Sequence, residues 1–141
     1  MIETYTASSV INQVMEAVIR LMNATSPFAT VTRGALPTGP GLTCEIGPSR
    51  PKSVYMDKNC YIPLSVVMNG KHSSMETLSD AMNTIHSALT RTTIYPEDPA
   101  GNRWQITDIQ TTTFPRVVGR EDNNDWLMAS VLSVTFFWRG D

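Results

Sequence analysis

The sequence predicts an α+β fold: a four- to five-stranded, mostly antiparallel sheet with two helices packed on one face and a β-hairpin arm. Three observations carry this expectation. Trp126, Met128, Leu132, Val134, Phe136 and Trp138 fall on every second position, with Ser130 in the remaining slot, the period of a strand with one apolar face. Two stretches instead space their apolar residues by three and four, the period of a helix with one buried stripe. The other apolar runs are short, rich in β-branched residues and bounded by Gly and Pro, in the order helix, strand, long β-arm, strand, helix, two strands. Two helices with antiparallel strands in that order fit a layered sandwich.

Helix one is expected from Ser9 to Asn23. Ser8 or Ser9 caps it, and Val10, Ile11, Val14, Ala17, Val18, Leu21 and Met22 form its apolar face. Pro27 stops it, and a short strand follows over Phe28 to Arg33. A Gly/Pro-rich arm at about residues 34–58 comes next, with Pro37-Thr38-Gly39-Pro40-Gly41 and Gly47-Pro48-Ser49-Arg50-Pro51 as its turns. Within it, Leu42 to Ile46 and Val54 to Met56 are expected to pair as a hairpin. A loop this long in a small domain is functional or disordered, and the reading here is an arm that contacts a partner.

Cys60 to Met68 is the next strand, with Pro63 pointing to a bulge or an edge. Asn69-Gly70 is a turn signal. Ser73 and Glu76 match a capping box, and Met75, Leu78, Met82, Ile85 and Leu89 repeat at helical spacing, so helix two runs from Ser74 to about Thr90. Tyr95 to Gly101 is a turn, Trp104 to Thr113 a strand, and Pro115 to Asp125 a loop bearing both signs of charge. The strand around Trp126 to Trp138 closes the chain. Because its second row (Leu127, Ala129, Val131, Ser133, Thr135, Phe137) begins apolar and turns mixed, it belongs in the sheet interior.

The 141 residues form a single domain, large enough for a core without metal or disulfides. Charged residues are 17% of the chain, below the usual quarter, and the net charge is −2. No basic field exists to draw in nucleic acid, so non-specific DNA binding is not expected. Cys44 and Cys60 match neither a redox pair nor a zinc set and read as free, mostly buried thiols. The N-terminus lacks a basic n-region and an apolar run, and no stretch approaches a membrane span, so the expectation is a soluble protein of a reducing compartment.

Enzyme signatures are scarce: no Gly-x-Ser-x-Gly elbow, no HExxH and no P-loop occur. No catalytic, cofactor-binding or metal-ligating residue is assigned. His72 and His86 read as surface or boundary residues. Glu121, Asp122 and Asp125 bunch together but lack EF-hand spacing, so a solvated loop outweighs a cation site. The three tryptophans read as core rather than as base-stacking platforms. Arg50, Lys52, Arg116, Arg120, Glu121, Asp122 and Asp125 remain. They are either plain surface charges or a salt-bridged contact between copies, and the latter makes them the candidate subunit interface.

Tyr61-Ile62-Pro63-Leu64, the helix through Leu89, Thr93-Ile94-Tyr95-Pro96, Trp104-Gln105-Ile106 to Phe114-Pro115, Trp126-Leu127-Met128-Ala129-Ser130 and Val134-Thr135-Phe136-Phe137 occur in this order over the last eighty or so residues. In them the chain resembles minor capsid and tail-terminator proteins of long-tailed, non-contractile bacteriophages. The resemblance implies a non-enzymatic virion protein at the head-tail junction, assembled in the host cytoplasm. It would form a homo-oligomeric, six-fold ring that ends tail-tube growth and meets the tail tube protein and the head connector or stopper, with DNA passing through unread. A head-completion or stopper protein on the connector side is the alternative, and a small ligand-binding domain or enzyme ranks last.

Overall fold

The computed structural model describes residues 7–36, 39–47, 53–54, 60–98, 104–121 and 124–138. Helix α1 (Ala7–Asn23) is followed by strands β1 (Val31–Arg33), β2 (Gly41–Ile46), β3 (Ser53–Val54) and β4 (Cys60–His72). Helix α2 (Met75–Thr90) then leads to β5 (Trp104–Arg120) and β6 (Trp126–Trp138). The strands join in one open sheet of order β1-β2-β4-β6-β5, with β3 beside the start of β4. Among the described strands β1 and β2 run parallel, and the other pairs are antiparallel. The predicted α+β class and the two helices on one sheet face are what the structure has.

The alternation in β6 sets the two faces. Met128, Ser130, Leu132, Val134, Phe136 and Trp138 are buried, and every residue between them is half-buried. Strand β4 lies in register with β6 along all 13 residues, so Ile62, Leu64, Val66 and Met68 face the same way as Phe136, Val134, Leu132 and Ser130. Both helices cover this face, and the whole apolar set forms one cluster that includes Val14, Val18 and Met22 of α1 and Leu78, Met82, Ile85 and Leu89 of α2. At Gly70 side chains of α2 press directly on the sheet backbone. A Cβ there would stand 2.6 Å from a Leu78 methyl and 3.0 Å from the Met82 sulfur, so the small residue lets the helix in.

Local chemistry fixes the helix ends. Ser74 caps α2, its Oγ accepting the Thr77 N–H, one position beyond the Ser73 expected. Ser8 and Ser9 lie inside α1, which starts at Ala7. At its other end Asn23 makes a two-way bond with β1, donating to the Val31 carbonyl (3.3 Å) while accepting the Val31 N–H (2.8 Å). The amide side chain thus imitates one rung of a ladder and ties helix to strand.

Several expectations are corrected or refined. Gly41–Ile46 does not pair with Val54 as an arm. It is a core strand between β1 and β4, with Leu42, Thr43 and Cys44 buried, because its apolar residues match the register of Gly70, Met68 and Val66. The Gly/Pro turns either side made it look peripheral; β3 pairs with β4 instead. Residues 37–38, 48–52 and 55–59 of the arm lie outside the described residues. Asn69-Gly70 is not a turn: the β4 strand continues through it to His72, held by β2 and β6 on either side. Pro63 is in the sheet interior, yet its N side falls in the gap between the end of β2, opposite Val66, and β3, opposite Tyr61, so locally it is an edge. Finally, β5 runs through Pro115 to Arg120, and β1 is shorter than expected, Val31–Arg33.

Candidate subunit interface

The charged loop predicted between Pro115 and Asp125 is mostly strand and tight turn. The Glu121 N–H donates to the Asp125 carbonyl and the Asn124 N–H to the Glu121 carbonyl, both at 2.8 Å, with Asn124 at φ 73°. This closes β5 onto β6 in a hairpin and engages most of the charges within the chain. The Arg120 guanidinium lies 4.3 Å from the Trp126 ring centre and also donates to the Asn124 carbonyl, a cation–π contact at a half-buried ring. Glu121 accepts from Lys71 Nζ at 3.1 Å. Lys71 is only 3% exposed, so that carboxylate neutralises an ammonium removed from water. Asp125 is buried at the hairpin end. Of the seven candidate interface residues, Arg50, Lys52 and Asp122 lie outside the described residues, while Arg120, Glu121 and Asp125 serve the hairpin. Arg116 is exposed on β5 and has no ion-pair partner among the described residues.

What the structure adds is apolar. Phe114 is 72% exposed, Val118 49% and Val117 40%, all on β5. Beyond its first residues, where the Asp98 N–H donates to the Trp104 carbonyl and the Ile106 N–H to the Pro96 carbonyl, that strand is a sheet edge. Its 17 residues face the 13 of β6, and the four extra are taken up at four register shifts, one between Thr113 and Arg116. Bulges re-aim side chains and twist an edge away from flat pairing; here one turns Phe114 outward. Sequence reading missed this patch because Pro115 reads as a loop residue. The usable signal was Phe114, Val117 and Val118 recurring within a polar, threonine-rich run.

The second sheet face carries Leu127, Ala129, Val131 and Phe137 of β6 beside Pro63 and Val67 of β4, all half-buried, with Tyr61 and Phe137 rings 5.2 Å apart. A shallow hollow of about 180 Å³ lies between α2 and the turn before β1, with Pro27, Phe28 and Ala81 as its apolar lining and Thr25, Ser26, Thr77, Asp80 and Thr84 as its polar lining. At the other end of the sheet Arg33 donates to Glu45 at 2.8 Å and to Asn12 at 2.9 Å, joining α1, β1 and β2. This bond holds the Glu45 carboxyl below its usual pKa.

Two buried titratable groups, His86 and Cys44, lie among the core residues. His86 is 3% exposed rather than at the surface. Its Nδ1 lies 2.9 Å from Thr111 Oγ1 and its Nε2 2.7 Å from Ser130 Oγ, so one imidazole joins α2 to β5 and β6. Burial pushes its pKa down to about 4, and the neutral ring donates at one nitrogen while accepting at the other. Burial likewise raises the Cys44 thiol to about 12, far from the thiolate that reactivity requires. Trp104 and Trp138 are buried, and the Trp104 indole N–H donates to Gln13 of α1 at 2.8 Å. Among the described residues no group of three His, Cys, Asp or Glu could hold a metal ion, and no helix is long and apolar enough to cross a membrane.

Neither a family model nor a curated protein matches this chain.

Proposed function

We propose that the chain is a structural virion protein of a long-tailed, non-contractile bacteriophage: a tail terminator that assembles as a ring, hexameric by the resemblance, and ends tail-tube polymerisation. The ordered short motifs from Tyr61 to Phe137 suggest it. The observation that best supports a role in assembly is the long edge strand β5 with its exposed Phe114, Val117 and Val118. Large apolar side chains exposed along a sheet edge are candidates for a contact surface. Both helices sit on one sheet face, which leaves the other face and this edge for neighbours. Such a ring would have the tail tube protein on one side and the head connector on the other, with DNA passing through an acidic chain of net charge −2.

The test is to delete the gene in the phage that carries it and to image the lysate by electron microscopy. Filled heads beside separate, overlong tails are expected, because tube growth lacks its stop. Tails of normal length beside heads that leak DNA would instead assign the chain to head completion on the connector side. Intact infectious particles would overturn a structural role altogether.

A further inference from the structure

The ring reading does not say which surfaces meet. Resting on that reading, we infer that Phe114 on the β5 edge of one copy enters the hollow between α2 and the turn before β1 of the next copy, with Arg116 set against Asp80. Three observations point there.

The first is fit. Phe114 is 72% exposed, an unusual state for phenylalanine. The hollow measures about 180 Å³ and offers Pro27, Phe28 and Ala81 as apolar walls. An enclosed cavity of about 150 Å³ accepts a benzene ring, so this open hollow has room for a phenyl group laid against its apolar walls.

The second is charge. Arg116 lies two residues beyond Phe114 and is exposed, and Asp80 is exposed at the hollow with Glu76 one turn before it on α2. None of the three has an ion-pair partner among the described residues. A cation beside the knob and carboxylates beside the hole give the contact one orientation and favour the correct encounter.

The third is placement. The hollow lies between α2 and the turn leading into β1, a surface distinct from the β5 edge that carries Phe114. A contact between two different surfaces is heterologous, and a heterologous contact forms a ring when its rotation closes on the first copy. Two β5 edges meeting across a two-fold axis would give only a dimer.

Sedimentation velocity of the purified full chain tests this with two exposed substitutions, Phe114→Ser and Thr84→Trp, the latter filling the hollow. Each variant should keep the wild-type melting temperature and lose self-association by at least about tenfold. Mixed together they should stop at a one-to-one dimer, since each retains the surface the other has lost. Arg116→Asp should likewise weaken association, and adding Asp80→Arg to it should restore most of the loss. Variants that associate like the wild type, a mixture that yields no dimer, or a charge-reversed pair without recovery would each overturn this contact. A wild-type chain that stays monomeric at millimolar concentration would overturn it too. The tail-length outcome of the gene deletion is independent of all of these, so it decides the ring reading separately.

Discussion

His86 shows how one side chain can make stability depend on pH. Its ring joins α2 to β5 and β6 through two hydroxyls, and burial holds its pKa near 4 against an ordinary 6.5. Between those values the unfolded chain binds a proton that the folded chain refuses. This part of the stability is therefore complete above about pH 6.5, falls as the pH drops toward 4 and changes no further below it. At 1.36 kcal/mol per pKa unit the loss is about 3 kcal/mol at most. Urea unfolding at pH 7, 5.5 and 4 should show this fall, and His86→Gln, which can keep both hydrogen bonds, should show less of it; parallel curves would sink the assignment. Phe136, fully buried at the centre of the core, is the residue to truncate for a packing test. Phe136→Ala should cost about 3–5 kcal/mol, measured as a shift of the urea midpoint, and an unchanged midpoint would mean that the ring does not pack there. The alternation of β6 made Phe136 legible as core from the sequence. His86 was not legible, because its partners Thr111 and Ser130 lie on other strands, 25 and 44 residues away.

Among the elements, the β5–β6 hairpin departs furthest from expectation. Alternation breaks at each bulge and Pro115 imitates a loop, so a single-sequence reading ends β5 near Thr113, although its ladder with β6 continues to Arg120. The same break hid the exposed patch and made Arg120 and Glu121 look like free charges. Glu121 instead holds the hairpin end to β4 through buried Lys71. Replacing it by Gln keeps a hydrogen-bond acceptor but removes the counter-charge. With one partner partly in water, the expected cost is about 1–3 kcal/mol. Hydrogen exchange should show the loss as faster exchange of the Glu121 and Asn124 amides; protection equal to wild type would mean the ion pair is idle. Helix α2, by contrast, was legible almost to the residue, since its period is unbroken, with the cap at Ser74 one position beyond the expected Ser73.

Across the whole molecule the helices and strands β2, β4, β5 and β6 contribute to one hydrophobic cluster, so the domain is expected to unfold as a unit. Taking residues 34–58 for a dispensable arm would suggest that part of it can be removed. The structure predicts otherwise: deleting residues 38–48 removes β2, with Leu42 and Cys44 from the core and the partner of both β1 and β4. That chain should lack a cooperative thermal transition by circular dichroism, and a wild-type melt would contradict the strand order. Class and layer arrangement were readable because they follow from local periods. Strand order was not, since β2 owes its place to register with β4 across the long intervening segment rather than to anything within its own six residues.

Strand β5 has a surplus of contour. Four residues more than its neighbour amount to about 13 Å of extra chain over the same span. The surplus must be absorbed by coiling, so the outer rim of the sheet is curved where a growing stack of strands would need it straight. A further β-strand cannot zip along such a rim for its full length, whatever the attraction of the exposed backbone. Knob-like contacts through individual side chains remain open to it. An assembly joined in that way can come to an end, whereas one joined by continuous backbone pairing tends to keep growing.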